Sequence, residues 1–366
     1  MSGAINMVNI WRGDLLESSH MGHAVICDGT GQIVESWGAP ETIIYPRSSC
    51  KMLQALPLIE SGAAAAYGLG DSQLALACSS HQGADFHTNA VQEWLKSLNL
   101  AESDLRCGSH EPYDKAARNG LIKTDKTPCQ FHNNCSGKHS GFLTLNKYLS
   151  GDSEYTALDH PVQKAVKAAF EDLTQETSSG YGIDGCSAPN FTSSLHGLAR
   201  AMAFFANSDG TGDARDRAAY RLTSAMRQHP DMVAGEGRAC SELMHAMSGR
   251  VAVKTGAEAV FVAIVPELRL GIALKIIDGG TRAAEAAITA ILCKIGVLKA
   301  THFAAVRRLQ GDHKNCNGAP RFLRVFSSTP RRYRFEGGRR PLTVGLVGGF
   351  VSVAWLFAPG PRGLAA

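Results

Sequence analysis

Ser48 and Lys51 are three positions apart in "RSSCKMLQALPLIES" (residues 47–61), where an apolar pattern with helical spacing begins. On a helix, side chains at i and i+3 lie on one face, so the lysine amine can approach the serine hydroxyl. An ordinary lysine is protonated and cannot serve as a base, but burial or a neighbouring cation lowers its pKa. Alone, this spacing favours an N-terminal cap followed by a solvated lysine.

A second pattern favours chemistry. Lys254, Thr255 and Gly256 lie in "VAVKTGAEAVFVAIV" (residues 251–265), which is typical of β-strands. S-x-x-K on a helix followed by K-T-G on a strand is the motif order of penicillin-binding proteins and serine β-lactamases. The third element of that group, S-x-N or S-D-N, is missing, because "CSSHQG" (residues 78–83) offers Ser80 and His81 without an asparagine. The pattern therefore predicts active-serine acyl transfer but argues against an ordinary β-lactam enzyme.

The elements that must position these residues follow a simple order along the chain. A β-hairpin is predicted from "HAVICDG" and "QIVESWG", which flank the turn signal "DGTG". Helices are predicted in "DHPVQKAVKAAFEDL" and "SSLHGLARAMAFFAN", and later in "RAAEAAITAILCKIG". Strands are predicted in residues 251–265 and in "LRLGIALKIIDGG". We expect an α/β fold in which terminal strands form one sheet around an inserted helical region.

Composition indicates a globular chain, with 44% hydrophobic and 19% charged residues among 366. The net charge of +4 comes from residues 301–366, which hold 11 of the 37 Lys and Arg residues and two of the 33 acidic residues. The first 300 residues are net acidic, which argues against nucleic acid as a partner. The start of the sequence has no pattern of a secretory signal, and the ten cysteines have no disulfide-type spacing. We expect a cytoplasmic protein.

Seven ordered motifs between about residues 10 and 318 resemble the L-asparaginases typified by the inducible enzyme of Rhizobium etli. The motifs are "RSSCK", "CSSHQGADFH", "CGSHEP", "CSGKHSGFL", "GIDGCSAP", "HPDMVAGEGRAC" and "VKTGAEAVF". The resemblance implies a serine β-lactamase-like fold with a central antiparallel sheet and flanking helices. It also implies hydrolysis of L-asparagine to L-aspartate and ammonia by a homodimer. Together with the acidic main body, it leads us to expect neither nucleic acid nor a membrane as partner.

Carried over by position, the resemblance implies two serine–lysine tandems, Ser48 with Lys51 and Ser80 with Lys254. We predict Ser48 as the nucleophile and Lys51 as its base, with Ser80 and Lys254 as a proton relay that also activates the deacylating water. The roles of the two serines could be exchanged. Two lysines close together lower each other's pKa, as an amine base requires.

A zinc site is implied by the same resemblance. By spacing alone, Cys135 and His139 are i and i+4 and would be the natural ligand pair on a helix. The resemblance instead implies that Cys135, Lys138 and Cys186 hold Zn²⁺ and that Asp184 orients metal-bound water or the substrate ammonium. The alternative is two buried thiols and a solvated lysine.

The substrate needs partners for its carboxylate and ammonium groups. In "GEGR", Glu236 and Arg238 offer opposite charges, since an arginine fork suits a carboxylate, although the two could equally form a surface ion pair. His81 and His139 lie beside motif residues and are predicted to donate or accept hydrogen bonds at the substrate.

The end of the chain departs from the family. After "NCNG" (residues 315–318) the sequence becomes arginine-rich and then apolar, in the 15-residue run "VGLVGGFVSVAWLFA". A membrane-spanning helix needs about 20 apolar residues, so a poorly ordered extension is favoured over a membrane tail. We predict an asparaginase domain at residues 1–318 and an atypical tail at 319–366. Two other functions stay open: a penicillin-recognising hydrolase and a catalytically silent zinc-binding protein.

Overall fold

Strands from both ends of the chain pair in one antiparallel sheet. A computed structural model describes residues 3–12, 14–310, 322–325 and 331–332. Within them the order of the sheet is β11-β1-β2-β10-β9-β8, and β3 pairs with both β2 and β12. The strands of this sheet are β1 (Ile5–Arg12), β2 (Leu15–Cys27), β3 (Ile33–Trp37), β8 (Ala252–Gly256), β9 (Val260–Val265), β10 (Leu270–Ile276), β11 (Phe322–Val325) and β12 (Arg331–Arg332). Two short antiparallel pairs join β4 (Ile43–Ile44) to β7 (Ser193–Ser194) and β5 (Tyr181–Ile183) to β6 (Pro189–Phe191).

Helices fill the chain between β4 and β8 and follow β10. They are α1 (Lys51–Glu60), α2 (Ala63–Ala66), α3 (Asp71–Ala77), α4 (Asp85–Ser97), α5 (Lys115–Lys123), α6 (Ser136–Tyr148), α7 (Pro161–Thr174), α8 (Leu195–Asn207), α9 (Ala214–Gln228), α10 (Pro230–Val233), α11 (Ala239–Ala246), α12 (Thr281–Lys294) and α13 (Phe303–Gln310). None of the helices within the described ranges combines the length and the apolar character that crossing a bilayer requires. The predicted hairpin, strands and helices are confirmed, and so is the predicted α/β fold with a central antiparallel sheet and flanking helices.

Helix α8 lies directly on the sheet. All six residues of β9 are buried, so both faces of that strand are covered, and α8 and α12 both contact it. Gly271 of β10 permits the close approach of α8, because a Cβ at this position would lie 2.0 Å from the backbone nitrogen of Ala203. The apolar side chains of the sheet and helices form one continuous core.

Helix α1 runs through the helical region with most of its surface covered. Residues 51–58 are all buried, and the helix packs against α6, α7 and α9. Pro57 lies inside the helix, which continues to Glu60. A helix buried on all sides carries its polar first residue, Lys51, into the protein interior.

The predicted division at residue 318 falls in residues 311–321, outside the described residues, and stays a prediction. The described residues belong to one unit, Met1–Tyr333. Residues 334–366, which include the apolar run of the predicted tail, lie outside the described residues.

Candidate active site

Two buried lysines meet at one serine hydroxyl. Lys254 Nζ lies 2.7 Å from Ser80 Oγ, and Lys51 Nζ lies 3.2 Å from the same oxygen. Lys254 comes from β8, Lys51 begins α1, and Ser80 lies in the loop after α3. Both lysines are 1% exposed and Ser80 is 7% exposed. Three separate segments of the chain therefore converge on one hydroxyl, and the predicted partners Ser80 and Lys254 are in hydrogen-bond contact.

Lys254 is held near neutrality. Burial, followed by the positive charge of Lys51, lowers the pKa of its amine to about 7. Its amine also donates to the carbonyl oxygen of Thr255 at 2.7 Å. A lysine with this pKa is present in both protonation states near neutral pH, which is the condition for a general base.

Strand β8 reaches the turn before α1 because of the glycine in K-T-G. A Cβ on Gly256 would lie 2.6 Å from the carbonyl oxygen of Pro46 and 3.0 Å from the backbone nitrogen of Ser49. Only a glycine allows this separation without displacing backbone atoms. Gly256 therefore permits the packing that brings Lys254 to Lys51 and Ser80.

Ser48 lies beside this cluster but does not form the expected hydrogen bond with Lys51. It occupies the short 3₁₀ turn Arg47–Cys50 and is half-buried. The Lys51 amine instead donates to the carbonyl oxygen of Ser79 and contacts Ser80 Oγ and Cys135 Sγ, the last at 3.2 Å. A buried ammonium requires acceptors, and the Ser79 carbonyl is one that the sequence spacing does not reveal.

The two serines differ in their backbone amides. The N–H of Ser80 donates to the carbonyl oxygen of Val233 at 2.9 Å. Within the described residues, Ser48 forms no hydrogen bond through either its amide or its hydroxyl. An oxyanion hole needs backbone N–H groups that are not already engaged, so Ser48 retains a donor of this kind and Ser80 does not.

His81 is enclosed by protein. Its side chain is 0% exposed, Nε2 lies 2.9 Å from Ser136 Oγ, and Nδ1 accepts from the N–H of Gly83 at 3.1 Å. Burial holds its pKa well below the usual range, so the ring is neutral. These contacts fix the loop that carries Ser80 and leave neither ring nitrogen free for a substrate. The substrate contact predicted for His81 stays a prediction without support from this geometry.

A second buried cluster lies on the other side of Lys51. Lys138 Nζ is 3.1 Å from Cys186 Sγ, and the thiol of Cys135 donates a hydrogen bond to Cys186. That bond and the charge of Lys138 hold the pKa of Cys186 well below its usual value, while the pKa of Cys135 is raised. The two cysteines in turn raise the pKa of Lys138. The three predicted zinc ligands, Cys135, Lys138 and Cys186, thus lie together.

His139 borders the same cluster. Its Nδ1 lies 2.8 Å from the hydroxyl of Tyr155, while its buried Nε2 has no hydrogen-bond partner among the described residues. Burial lowers the pKa of the ring to about 4. His139 is 0% exposed, so the structure gives it contacts with the thiol cluster and with Tyr155.

The donor set of this cluster suits zinc. Thiolate sulfur and nitrogen are the ligands that Zn²⁺ prefers, and here two sulfurs and an amine are neighbours beside an unpaired imidazole nitrogen. No group of three or more His, Cys, Asp or Glu side chains with metal-binding arrangement occurs in the ranges described. Zinc binding here therefore depends on lysine as a ligand.

Asp184 contacts an arginine that the motif analysis did not select. Arg47 Nε lies 2.5 Å from Asp184 Oδ1, and Asn190 Nδ2 donates to Asp184 Oδ2 at 3.3 Å. Arg47 directly precedes Ser48 and has a left-handed backbone, with φ of 53°. In the sequence, its position directly before Ser48 is the one feature that could have identified Arg47 as a residue of the site.

Glu236 and Arg238 do not pair with each other in the structure. Glu236 is exposed, and the guanidinium of Arg238 lies over the ring of Tyr113, 5.4 Å from its centroid. Neither forms an ion pair in the described part of the chain. Their predicted substrate contacts stay predictions.

The fold and these residues define a class: an α/β protein with a buried serine–lysine cluster suited to acyl transfer. The model of the L-asparaginase II family matches residues 8–320. The chain therefore belongs to the L-asparaginase II family. The finer likeness to the Rhizobium etli enzyme stays a prediction.

Other comparisons are more distant. No curated protein matches the chain. Among solved structures, a protein assigned as a β-lactamase from Bacteroides dorei is 11% identical, with 74% of this chain and 93% of that chain covered and a TM-score of 0.42. A β-lactamase from Mycobacterium bovis is 12% identical, with 75% and 94% covered and a TM-score of 0.40. Mglu in its glutamate form is 12% identical, and this chain spans 62% of that protein, with 77% of this chain covered and a TM-score of 0.45. At this distance, nothing about chemistry follows from these three likenesses.

Proposed function

We propose that the protein is an L-asparaginase that hydrolyses L-asparagine to L-aspartate and ammonia through a serine acyl-enzyme. Membership of the L-asparaginase II family supports the reaction class. The observation that carries the mechanism is the contact of Ser80 Oγ with two buried lysines, one of which has a pKa of about 7. This arrangement is a chain of proton donors and acceptors that ends at an amine able to accept a proton near neutral pH.

Ser48 is the proposed nucleophile. Its free amide and half-buried position support this role, whereas the amide of Ser80 is bound to Val233. The Ser48 oxygen attacks the side-chain carbonyl carbon of asparagine and gives its proton to Lys51. In the same step the Lys51 ammonium passes one of its protons through Ser80 to neutral Lys254, along the hydrogen-bonded path between them. Contacts between a nucleophile and its base are often longer without substrate and shorten when it binds.

The remaining steps use the same groups. As the tetrahedral intermediate collapses, the carbon–nitrogen bond breaks, a lysine ammonium protonates the leaving nitrogen, and ammonia departs from an aspartyl ester of Ser48. Neutral Lys254, through Ser80, then removes a proton from water, which attacks the ester carbon. The ester bond breaks, Ser48 regains its proton, and L-aspartate leaves. The Ser48 amide is the proposed oxyanion donor, with a second donor from the chain after Lys254.

Zinc belongs to the proposal as a bound cofactor. Cys135, Lys138 and Cys186 would hold it, and it would supply a positive charge that helps to position the substrate. The serine mechanism uses no group from this cluster as nucleophile or base. By resemblance the protein is also proposed to be a cytoplasmic homodimer. Light scattering after size-exclusion chromatography tests the oligomeric state.

Ammonia release from L-asparagine tests the reaction and the serine assignment together. We expect Ser48→Ala to lower kcat/KM by at least about 10³-fold and to form no acyl adduct by intact mass. Ser80→Ala should be slowed while still forming a covalent adduct, because it retains the nucleophile. Ser49→Ala is the matched control, since the Ser49 hydroxyl donates to the Pro46 carbonyl within the same turn.

The outcomes separate the alternatives. An adduct in Ser48→Ala together with none in Ser80→Ala would exchange the roles of the serines. Turnover of the chromogenic cephalosporin nitrocefin without ammonia release from asparagine would favour a penicillin-recognising hydrolase. A folded protein that binds zinc and releases no ammonia would favour the catalytically silent alternative.

A further inference from the structure

The ring of His87 is fully buried and contacts the loop that carries Ser80. His87 lies on α4 and is 0% exposed. Its ring stacks on that of His81, with the two centroids 4.8 Å apart and the planes at 17°. Its Nε2 lies 2.8 Å from the carbonyl oxygen of Asp231. The serine mechanism gives this ring no role, yet the ring links two segments that both contact Ser80.

The hydrogen-bond partners of His87 define its tautomer. A carbonyl oxygen only accepts, so Nε2 carries the proton and donates to Asp231. Its Nδ1 is buried and has no hydrogen-bond partner among the described residues. Burial lowers the pKa of the ring to about 4, so near neutral pH the ring is uncharged and donates through Nε2 alone. A second proton would leave a buried N–H without an acceptor.

His81 has the same tautomer. The Ser136 hydroxyl donates its one proton to the carbonyl oxygen of Phe131 at 3.0 Å, so its oxygen accepts from Nε2 of His81. The Nδ1 of His81 accepts from the N–H of Gly83. Two neutral rings can stack in the interior, whereas two imidazolium rings would repel each other. The stacked pair therefore needs no counter-charge, and it joins α4 to the residue that follows Ser80.

A second connection runs from His87 to the backbone of Ser80 itself. Asp231, which accepts from His87, lies in α10. The carbonyl oxygen of Val233 in the same short helix accepts from the N–H of Ser80 at 2.9 Å. Ser80 is thus held through its own amide by α10 and through the next residue by His81, and His87 contacts both.

We propose that His87 is a positioning residue of the reaction, which holds Ser80 at the two lysines by its stack on His81 and its hydrogen bond to α10. The inference rests on the proposed function. Ser80 Oγ must stay within hydrogen-bond distance of Lys254 for proton transfer. A misplacement of about 1 Å can lower a rate by about 100-fold, so a ring that never touches the substrate can still determine the rate. Its replacement should lower kcat more than it raises KM.

Two variants separate the two connections. His87→Gln keeps a donor at about the position of Nε2 and removes the ring, and His87→Phe keeps a ring and removes the donor. We expect each to lower kcat for ammonia release from L-asparagine by about 10- to 100-fold, with KM changed by less than about threefold. Trp94→Phe is the matched control, because it removes another buried hydrogen bond from α4, that of Nε1 with Thr144 at 3.1 Å. It should keep kcat close to the wild-type value, and a wild-type kcat in both His87 variants would overturn the inference.

Hydrogen exchange at the Ser80 amide tests the positioning without turnover. We expect this amide to exchange at least about tenfold faster in His87→Gln than in Trp94→Phe, after correction for the global stability of each variant measured by urea unfolding. Equal rates after that correction overturn the inference, because a purely structural role lowers protection only through global unfolding. Faster exchange in His87→Gln supports it even if the wild-type protein releases no ammonia, a result that would reject the proposed function alone.

The wild-type protein offers a check that needs no variant. Two-bond ¹H–¹⁵N NMR of the histidine rings distinguishes the two neutral tautomers from the imidazolium. Near neutral pH we expect both His81 and His87 to be uncharged and protonated at Nε2. A His87 ring protonated at Nδ1 instead would have no donor for the Asp231 carbonyl and would overturn the inference.

Discussion

Two buried lysines in this protein have pKa values shifted in opposite directions. Lys254 and Lys138 are 1% and 3% exposed, and burial alone lowers the pKa of both. Lys254 faces Lys51 and Ser80, so the pKa of its amine stays low, at about 7. Lys138 faces the thiolate of Cys186, whose negative charge outweighs burial and raises the pKa of Lys138.

The difference shows that neighbouring charges decide the direction of the shift when burial disfavours the charged form of both amines. The cation beside Lys254 adds to the effect of burial, and the anion beside Lys138 outweighs that effect. Lys51 lies between the two clusters, in contact with Ser80 and with Cys135. The two neighbouring regions can therefore carry out different tasks. Ser80 and Lys254 can transfer protons, and the Cys186 thiolate can hold a cation, either Lys138 or a metal ion.

Replacement of Lys254 should have the largest effect on activity. We expect Lys254→Met, which keeps the length and removes the amine, to lower kcat/KM by about 10²- to 10⁴-fold, the usual contribution of a general base. Lys254→Arg should be equally impaired, because a guanidinium does not lose its proton in this range. Ammonia release measures both. If Lys254→Arg retains more than about a tenth of the wild-type activity, a positive charge rather than a base is what the reaction needs at this position.

Zinc should raise the stability of the folded protein by binding to Cys135, Lys138 and Cys186. A ligand that binds only the folded protein at about 100 times its Kd adds about 2.7 kcal/mol to the free energy of unfolding. We expect chelator-treated protein to gain stability when zinc is added, and Cys186→Ala to gain none, as measured by urea unfolding. Cys293→Ala removes a half-buried thiol from α12, outside the cluster, and should keep the gain. An unchanged gain in Cys186→Ala would remove that residue from the proposed ligand set.

Much of this arrangement could be predicted from the sequence, because it depends on local patterns. The strand with Lys254, the helix that begins at Lys51 and the order of the cysteine motifs are all expressed as short runs of residues. These runs predict which elements exist and which residues they carry. They also predicted the Ser80–Lys254 contact, by way of the resemblance, and the structure shows that contact.

The rest depends on contacts between distant segments. The spacing of Ser48 and Lys51 suggested that they pair, but the Lys51 amine turns to the carbonyl of Ser79, which only the folded chain supplies. His81 looked available to a substrate, yet Ser136 and Gly83 occupy both of its ring nitrogens. A local sequence pattern cannot predict these hydrogen-bond partners, because most of them come from segments far apart in the sequence.

The shifted pKa of Lys254 should also be visible in the stability of the protein, as the smallest of these effects. An unfolded lysine has a pKa near 10.4, so between pH 7 and about 10 the unfolded state binds more protons than the folded state. The free energy of unfolding then rises with pH, by up to about 1.4 kcal/mol per unit from this group. Below about pH 7, Lys254 is protonated in both the folded and the unfolded protein, so its contribution to the free energy of unfolding no longer changes with pH.

Lys254→Met isolates this contribution, because the other titratable groups near the amine are present in both proteins. They are Lys51, Cys240, Cys135 and Arg238. Urea unfolding between about pH 7 and 8.5 avoids the range in which buried thiols such as Cys78, with a pKa raised to about 12, produce the opposite slope. The difference in unfolding free energy between wild-type protein and Lys254→Met should change steadily over this range in favour of the wild type. A constant difference would mean that Lys254 keeps its proton when buried, and the contrast with Lys138 would then disappear.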